Sequence, residues 1–335
     1  MPDLLIKIDK ISVSVIVTTF QRFEYVKRAI KSVLEQSVKC LEIIVVEDAS
    51  TSGLNEWILE QKQPNLIYVR HETNKGLAAA RNTGLNLAKG ELIAYLDDDD
   101  EWLPNRLEEQ IIFYQALSDG TKTNLACIQV GCKILNGLGE VVSIALPVHN
   151  GKIKKSIMEI GGVITHSSCF LFTNHALRNV QGFDENLISG IDHDIWMKLA
   201  VAGYSSFSIR KPLVFIHIDD RATMMTNTKQ RVLGIENYIK KWSPVYHEWF
   251  GSKGGSFFSR RYFILVIAGL SGIKFATNFY RDGFFTAKLV FKKAGINFQL
   301  WTFAISRILK VYFYHAFPWL RHVKRVFAKS SDIQA

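Results

Sequence analysis

The residues best suited to chemistry in this chain are acids. Four consecutive aspartates, Asp97 to Asp100, stand at the end of the apolar run "ELIAYL" and lead into "EWLP". Carboxylates crowded onto one loop repel, and they ionise together comfortably only around a cation. Oxygen donors without His or Cys suit Mg2+ or Mn2+, ions that keep water and take up substrate phosphates. Alternate side chains at a strand end turn the same way, so Asp97 and Asp99 could share one ion. The plainer alternative is a solvated acidic turn in which Asp99 or Asp100 caps the next helix. Two more acids stand apart from this run: Asp48, which closes "LEIIVVED", and Asp192 in "GIDHDIWMKL".

The elements around these acids read as an alternation. "SVSVIVTTF" (Ser12 to Phe20) is rich in β-branched residues and predicts a strand. "EYVKRAIKSVLEQS" carries Tyr25, Ala29, Ile30, Val33 and Leu34 at helical spacing. "LEIIVVEDAS" and "NLIYVRH" predict further strands, with a short helix between them around Leu54 to Gln61. "NKGLAAARNTGLNLAKG" predicts a helix that closes at Gly90 as a C-terminal glycine. Pro104 falls at the first turn of a helix in "PNRLEEQIIFYQAL", where a missing N–H costs nothing. Uninterrupted apolar strands alternating with helices predict an α/β fold with a mostly parallel sheet covered on both faces. Ligands of such sheets bind beyond the carboxyl ends of the strands, and there stand Thr18, Thr19, Asp48 and Asp97 to Asp100. "NLACIQVGCKIL" and "EVVSIALPV" predict shorter strands in a less regular stretch from Ala116 to Val163.

Four of these segments also carry a resemblance. "SVIVTTFQR", "LEIIVVEDAST", "NKGLAAARNTGLNLAKGELIAYLDDDDEWLP" and "VQGFDENLISGIDHDIWMKLAVAGY" resemble, in order, the signatures of family 2 glycosyltransferases of the GT-A fold. The likeness runs from about Ser12 to Met225. It implies a Rossmann-like GT-A catalytic domain over residues 1–230, a nucleotide-diphosphate sugar donor (a UDP-sugar above all), and Mn2+ or Mg2+. It implies that Thr18 and Phe20 line the nucleotide pocket, and that Asp48 accepts a hydrogen bond from the uracil or ribose. Arg81 would stand near the nucleotide. Asp97, Asp98 and Asp99 would cover the D-x-D, with Asp99 on the metal and Asp97 or Asp98 holding the metal or the ribose. Asp192 matches the aspartate of the family's "ED" motif, the catalytic base. Two positions depart from the pattern: Ile191 replaces the usual glutamate before Asp192, and Thr18 the usual proline.

The chemistry implied is an inverting transfer. A metal across the diphosphate neutralises the departing charge, and a general base takes the proton of the attacking hydroxyl. A carboxylate suffices as base, because the proton moves fully only as the oxygen bonds to the sugar carbon. Each residue also has a plainer role. Asp192 and Asp194 are acids at a helix start, Asp48 can form a turn, and Arg81 can be a helix surface charge. His217 and Arg221 follow a strand-like run and stay outside the candidate set, as does His193.

The charge is uneven. From Gly251 onward there are fourteen Lys or Arg and two acids, Asp282 and Asp332, so this stretch carries the chain's whole excess of +10 and more. Residues 231–335 therefore read as a separate helical, basic and aromatic-rich region, with Gly269, Gly283 and Gly295 as breaks. The stretch Trp301 to Lys329 could lie on an anionic membrane surface, pack on the catalytic domain, or form a dimer contact. No nucleic-acid module accompanies the charge. "MPDLLIKIDKISVSVIV" lacks the features of a signal peptide, and the apolar run Tyr262 to Ile273 is short for a membrane span. The expected location is cytoplasmic, peripheral on the inner face of the plasma membrane. The four cysteines show no metal spacing and read as buried thiols. The leading expectation is a glycosyltransferase building a surface polysaccharide on a glycan or lipid-linked acceptor. A sugar nucleotidyltransferase and a non-catalytic nucleotide-sugar-binding protein are the alternatives. The first of these would need a glycine-rich phosphate loop, which does not follow the first strand.

Overall fold

The structure, a computed structural model, describes residues 11–50, 52–160, 166–218 and 228–316. Arg221 and the last part of the basic stretch, 317–329, lie outside the described residues. The chain divides into two compact units, Met1–Asn186 with Ile191–Asp220, and Leu187–Gly190 with Arg221–Ala335.

The first unit alternates as its apolar runs demand. Its elements are β1 (Val13–Thr19), α1 (Phe23–Leu34), β2 (Glu42–Glu47), α2 (Leu54–Glu60), β3 (Leu66–Arg70), α3 (Leu77–Leu87) and β4 (Leu92–Asp97). Then come β5 (Glu101–Trp102), α4 (Arg106–Ala116), α5 (Asp119–Thr123), β6 (Leu125–Leu135), β7 (Val141–Ala145), β8 (Gly151–Lys152) and α6 (Ile153–Ile160). A 3-10 turn at Ser167–Cys169 precedes β9 (Phe170–Thr173), α7 (Asn174–Asn179), α8 (Ile191–Val201) and β10 (Ser205–His217).

Among the described residues all ten strands join one sheet, ordered β3-β2-β1-β4-β9-β6-β10-β5, with β7 beside β6 and β8 beside β10. The strands β3, β2, β1 and β4 run parallel. Every residue of β1 and β2 is buried, which is why their sequences show apolar runs instead of alternation. β9 runs antiparallel to both β4 and β6 and joins the parallel group to the second half of the sheet. The four cysteines are free and buried.

Two sequence expectations need correction here. Gly90 has no left-handed conformation; a Cβ there would stand 2.4 Å from the backbone nitrogen of Ser14, so the glycine lets the chain pass β1. Pro104 lies in the turn before α4, which begins at Arg106, two residues later than expected.

The second unit is helical: α9 (Thr228–Ala276), α10 (Tyr280–Ala294) and α11 (Phe298–Ala316). α9 breaks at Gly251, whose φ of 70° and ψ of 170° are not helical. Of the glycines read as breaks, Gly295 ends α10, whereas Gly269 and Gly283 lie inside helices. α9 is also long and apolar enough to cross a membrane by length and composition, where the sequence suggested no such helix. Because 61% of its apolar window is buried inside the fold, α9 serves as the core helix on which α10 and α11 pack.

Candidate active site

The parallel register sets three strand ends side by side. Thr18 pairs with Asp97 across β1 and β4, and Thr19 pairs with Glu47 across β1 and β2. Polar residues that the sequence scatters over eighty positions therefore share one edge. Thr18 and Thr19 are buried, while Phe20, one residue on, is exposed.

The acidic run alternates as a strand end should. Asp98 and Asp100 are buried, whereas Asp97 and Asp99 keep part of their surface open. Each inward carboxylate has a hydroxyl donor. Thr19 Oγ1 donates to Asp98 Oδ2 at 2.8 Å, and Ser168 Oγ donates to Asp100 Oδ2 at 2.6 Å. Burial, joined by the neighbouring Asp99 charge, pushes the Asp98 carboxyl up to about 6 against the pull of Arg22. Burial, with Asp97 and Asp99 adding, also raises Asp100 well above the usual carboxylate range.

Three arginines contact the acidic run. Arg22 Nη1 donates to Asp98 Oδ1 and Asp99 Oδ2, each at 2.9 Å. Arg28 Nη2 donates to the backbone oxygen of Asp99 at 2.9 Å. On the other side Arg81, wholly buried on α3, donates through Nη2 to Asp97 Oδ1 at 2.8 Å and through Nη1 to Asp192 Oδ1 at 2.6 Å. Arg81 is therefore no helix surface charge but a bridge between the strand end and the first turn of α8. Its guanidinium lies 5.2 Å from the Phe183 ring and 5.7 Å from that of Tyr95, which keeps water from it. Burial works against the Asp97 charge, but Arg81 and the Ser167 hydroxyl, 2.6 Å from Asp97 Oδ2, outweigh it and hold the carboxyl below its usual range. Asp192 has a side chain 49% exposed, so Arg81 fixes its Oδ1 while the side chain stays half open to water.

Asp48 has a different setting. It is buried at the end of β2, and its oxygens accept from the backbone N–H groups of Lys75 and Gly76, each at 2.8 Å, and from His71 Nδ1 at 2.8 Å. His71 Nε2 lies 2.9 Å from Thr83 Oγ1. The turn that feeds α3, and so aims Arg81, is built on this carboxylate. Asp194 lies with Asp192 in the first turn of α8, buried where its neighbour is exposed. His217, at the end of β10, stands 2.6 Å from Glu101 Oε1, which also pairs with Arg28 at 3.1 Å.

Sequence reasoning did not find Arg22, Ser167 or Ser168. Ser168 is the most connected: its Oγ accepts from the Asp97 N–H at 3.1 Å while donating to Asp100, and its carbonyl accepts from Trp102 Nε1 at 3.0 Å. The register Leu92↔Thr173, Ile93↔Phe172, Ala94↔Leu171, carried on along β4, brings Ser168 opposite Asp97. The signal was a hydroxyl pair just ahead of the apolar "CFLF". Its meaning depended on β9 running antiparallel, which apolar runs do not encode. Among the described residues, no three His, Cys, Asp or Glu side chains converge as a ready metal cage.

The family described as "Glycosyl transferase family 2" matches residues 14–180. The chain is similar to the putative colanic acid biosynthesis glycosyl transferase WcaA of Escherichia coli K12, 29% identical over 68% of this chain and 80% of that one. It is also similar to the E. coli UDP-Glc:alpha-D-GlcNAc-diphosphoundecaprenol beta-1,3-glucosyltransferase WfaP, 35% identical over 31% of this chain and 41% of that one. In fold it matches residues 1–349 of S. aureus TarS, solved with UDP-GlcNAc, at a TM-score of 0.54 and 18% identity, covering 95% of this chain and 92% of that one.

Proposed function

The chain belongs to glycosyltransferase family 2, and on that premise we propose that it is an inverting, metal-dependent glycosyltransferase acting on a UDP-sugar. The acceptor in this reading is a hydroxyl of a lipid-linked glycan, and the product is a surface polysaccharide. The names of WcaA and WfaP, a colanic acid enzyme and one using UDP-Glc with a diphosphoundecaprenol-linked acceptor, support that assignment of pathway type, donor and acceptor.

The observation that carries the reading is the Arg81 bridge. It holds Asp97, at the donor-binding strand end, and Asp192, the base, on two nitrogens of one side chain. In the reaction the acceptor oxygen bonds to the anomeric carbon from the face opposite the diphosphate. Its proton passes to Asp192, and the bond from that carbon to the diphosphate oxygen breaks, its electron pair leaving with UDP. Arg81 keeps Asp192 aimed, so the acceptor meets a fixed carboxylate oxygen.

Asp97 and Asp99 fit a hard divalent ion, Mn2+ or Mg2+. Both offer oxygen only, both are the outward members of the run, and a substrate diphosphate would complete the ligand set that the protein leaves short. When bound, that ion supplies neutralisation of the charge growing on the departing diphosphate. We assign Asp98, with Arg22, to shaping the loop beneath the nucleotide, and Thr18 and Phe20 to its pocket wall. Asp48 acts on the uracil or ribose side through the Lys75–Gly76 turn that it holds.

Purified protein with Mn2+ is expected to melt at higher temperature with UDP than with ADP or NAD, and to release UDP slowly from one sugar donor in a screen of several. Indifference of the melting curve to all three nucleotides overturns the reading. A binding-only protein would show the UDP shift with no release from any donor.

A further inference from the structure

We propose that the outer face of α11, together with the corner between α9 and α10, is a docking surface for an anionic lipid bilayer. The proposal rests on the glycosyltransferase reading only for its purpose, which is to meet a lipid-borne acceptor.

The helix α11 is amphipathic in the reverse of the usual sense for its exposed side. Leu300 and Ala304 are fully buried, and Arg307 donates to the backbone oxygen of Leu265 on α9. The side turned away carries Phe298, Trp301, Ile305 and Leu309, spaced by three, four and four residues and so aligned along one stripe. Phe298 is 81% exposed. A polar row of Gln299, Thr302, Ser306 and Lys310 runs beside it, also exposed. In an ordinary water-facing helix the two rows would differ in burial, with the large apolar residues inward.

A second patch lies at the corner. Phe279, Tyr280, Phe284 and Phe285 are all exposed there, with Arg281 and Lys288 among them. Gly272, near the end of α9, lets Ile308 and Val311 come close, because a Cβ at that position would stand 2.6 Å from the Ile308 oxygen. α11 therefore runs alongside α9, and its later half lies by the end that the corner caps. Exposed patches of this kind mark interaction sites.

Charge decides the occupant. Between Tyr280 and Ala316 there are six Lys or Arg and one acid. That acid, Asp282, lies 3.8 Å from Lys274 and accepts from Thr228 Oγ1 at 2.7 Å. A second copy of the chain would bring the same positive charge against it, whereas a bilayer bearing anionic headgroups attracts it. Aromatic side chains at headgroup depth with bases reaching the phosphates are the pattern of a helix lying in an interface. The sequence placed the lipid contact on Trp301 to Lys329; the corner residues add a part of α10 to it.

The test uses the full chain and sedimentation with vesicles of phosphatidylglycerol mixed into phosphatidylcholine, against phosphatidylcholine alone. Binding is expected only to the anionic vesicles, and raised salt should weaken it. The double variants Phe284→Ser/Phe285→Ser and Ile305→Ser/Leu309→Ser should each lose at least tenfold in vesicle affinity while keeping the UDP melting shift. Unchanged vesicle binding in both variants overturns the proposal and points to residues beyond 316. Loss of a dimer in the variants, with no vesicle binding by the parent protein, also overturns it and makes the face a contact between copies. Loss of the UDP shift in the parent would instead overturn the transferase reading and leave the surface standing on its own result.

Discussion

Arg81 Nη1 stands 2.6 Å from Asp192 Oδ1, joining residues 111 positions apart, while its other terminal nitrogen holds Asp97. A buried guanidinium between two carboxylates cannot be removed without stranding them. Arg81→Met is expected to destabilise the protein by about 3 kcal/mol, the low end for breaking a buried pair because Asp192 is half open to water. Urea unfolding reads this loss. Sugar transfer should fall at least a hundredfold. Arg81→Lys, with one point charge instead of a fork, should recover stability better than rate.

Asp192→Asn tests the base alone. The side chain keeps its size and an oxygen for Arg81 but cannot take a proton. UDP should still raise the melting temperature as in the parent, and transfer should drop by about a hundredfold to ten-thousandfold. Turnover equal to the parent's would remove Asp192 from the role.

Asp99→Ala separates donor grip from fold. Arg22 retains Asp98 as a partner, so the variant should melt near the parent without ligand. The portion of UDP stabilisation that depends on added Mn2+ should disappear, which a melting series with and without the ion would read.

Asp98 carries a pH dependence with a definite sign. Its folded-state value of about 6 lies above the ordinary 3.8, so between those values the folded protein keeps a proton that the unfolded chain gives up. Stability from this group therefore falls as pH rises through the window from about 4 to 6, by about 3 kcal/mol at most. Asp98→Asn removes the titration and adds a pH-independent loss of one acceptor. The stability of the variant minus that of the parent should climb from pH 4 to pH 7; a flat difference would refute the buried carboxyl.

Ser168→Ala takes away a donor to Asp100 and an acceptor for the Asp97 N–H at once. The expected cost is about 2 kcal/mol, typical of stranding buried polar groups. Because the acid loop loosens, the donor's apparent KM should rise more than kcat falls, and Ser168→Thr should restore part of both.

The parallel half of the sheet was legible because β1, β2 and most of β4 are buried on both faces and write that burial as uninterrupted apolar runs, while β3, half-buried at the sheet edge, carries a shorter one. Asp97 to Asp100 were legible as a site for the same reason: charge abutting such a run marks a strand's end. What the sequence could not show was the partnership of charges. Arg81 sits in an alanine-rich helix, where an arginine reads as solvated, and only the packing of Tyr95 and Phe183 around it reveals burial. Arg22 follows a strand end without any periodic pattern. Glycines misled in the second unit, since Gly283 serves a close contact with Phe275 and Gly269 lies inside α9, neither breaking the chain.

The antiparallel course of β9 has a consequence for how the protein matures. The hydroxyls that steady Asp97 and Asp100 arrive some seventy residues after them, and Asp192 later still. A nascent chain ending before Ser167 could pair its first four strands, yet its acidic loop would lack both serine hydroxyls and the Arg81-bridged Asp192. On the proposed reading, competence to hold and spend a donor would appear only when the second half of the sheet closes, so a half-made polypeptide would be spared futile cleavage of its own substrate.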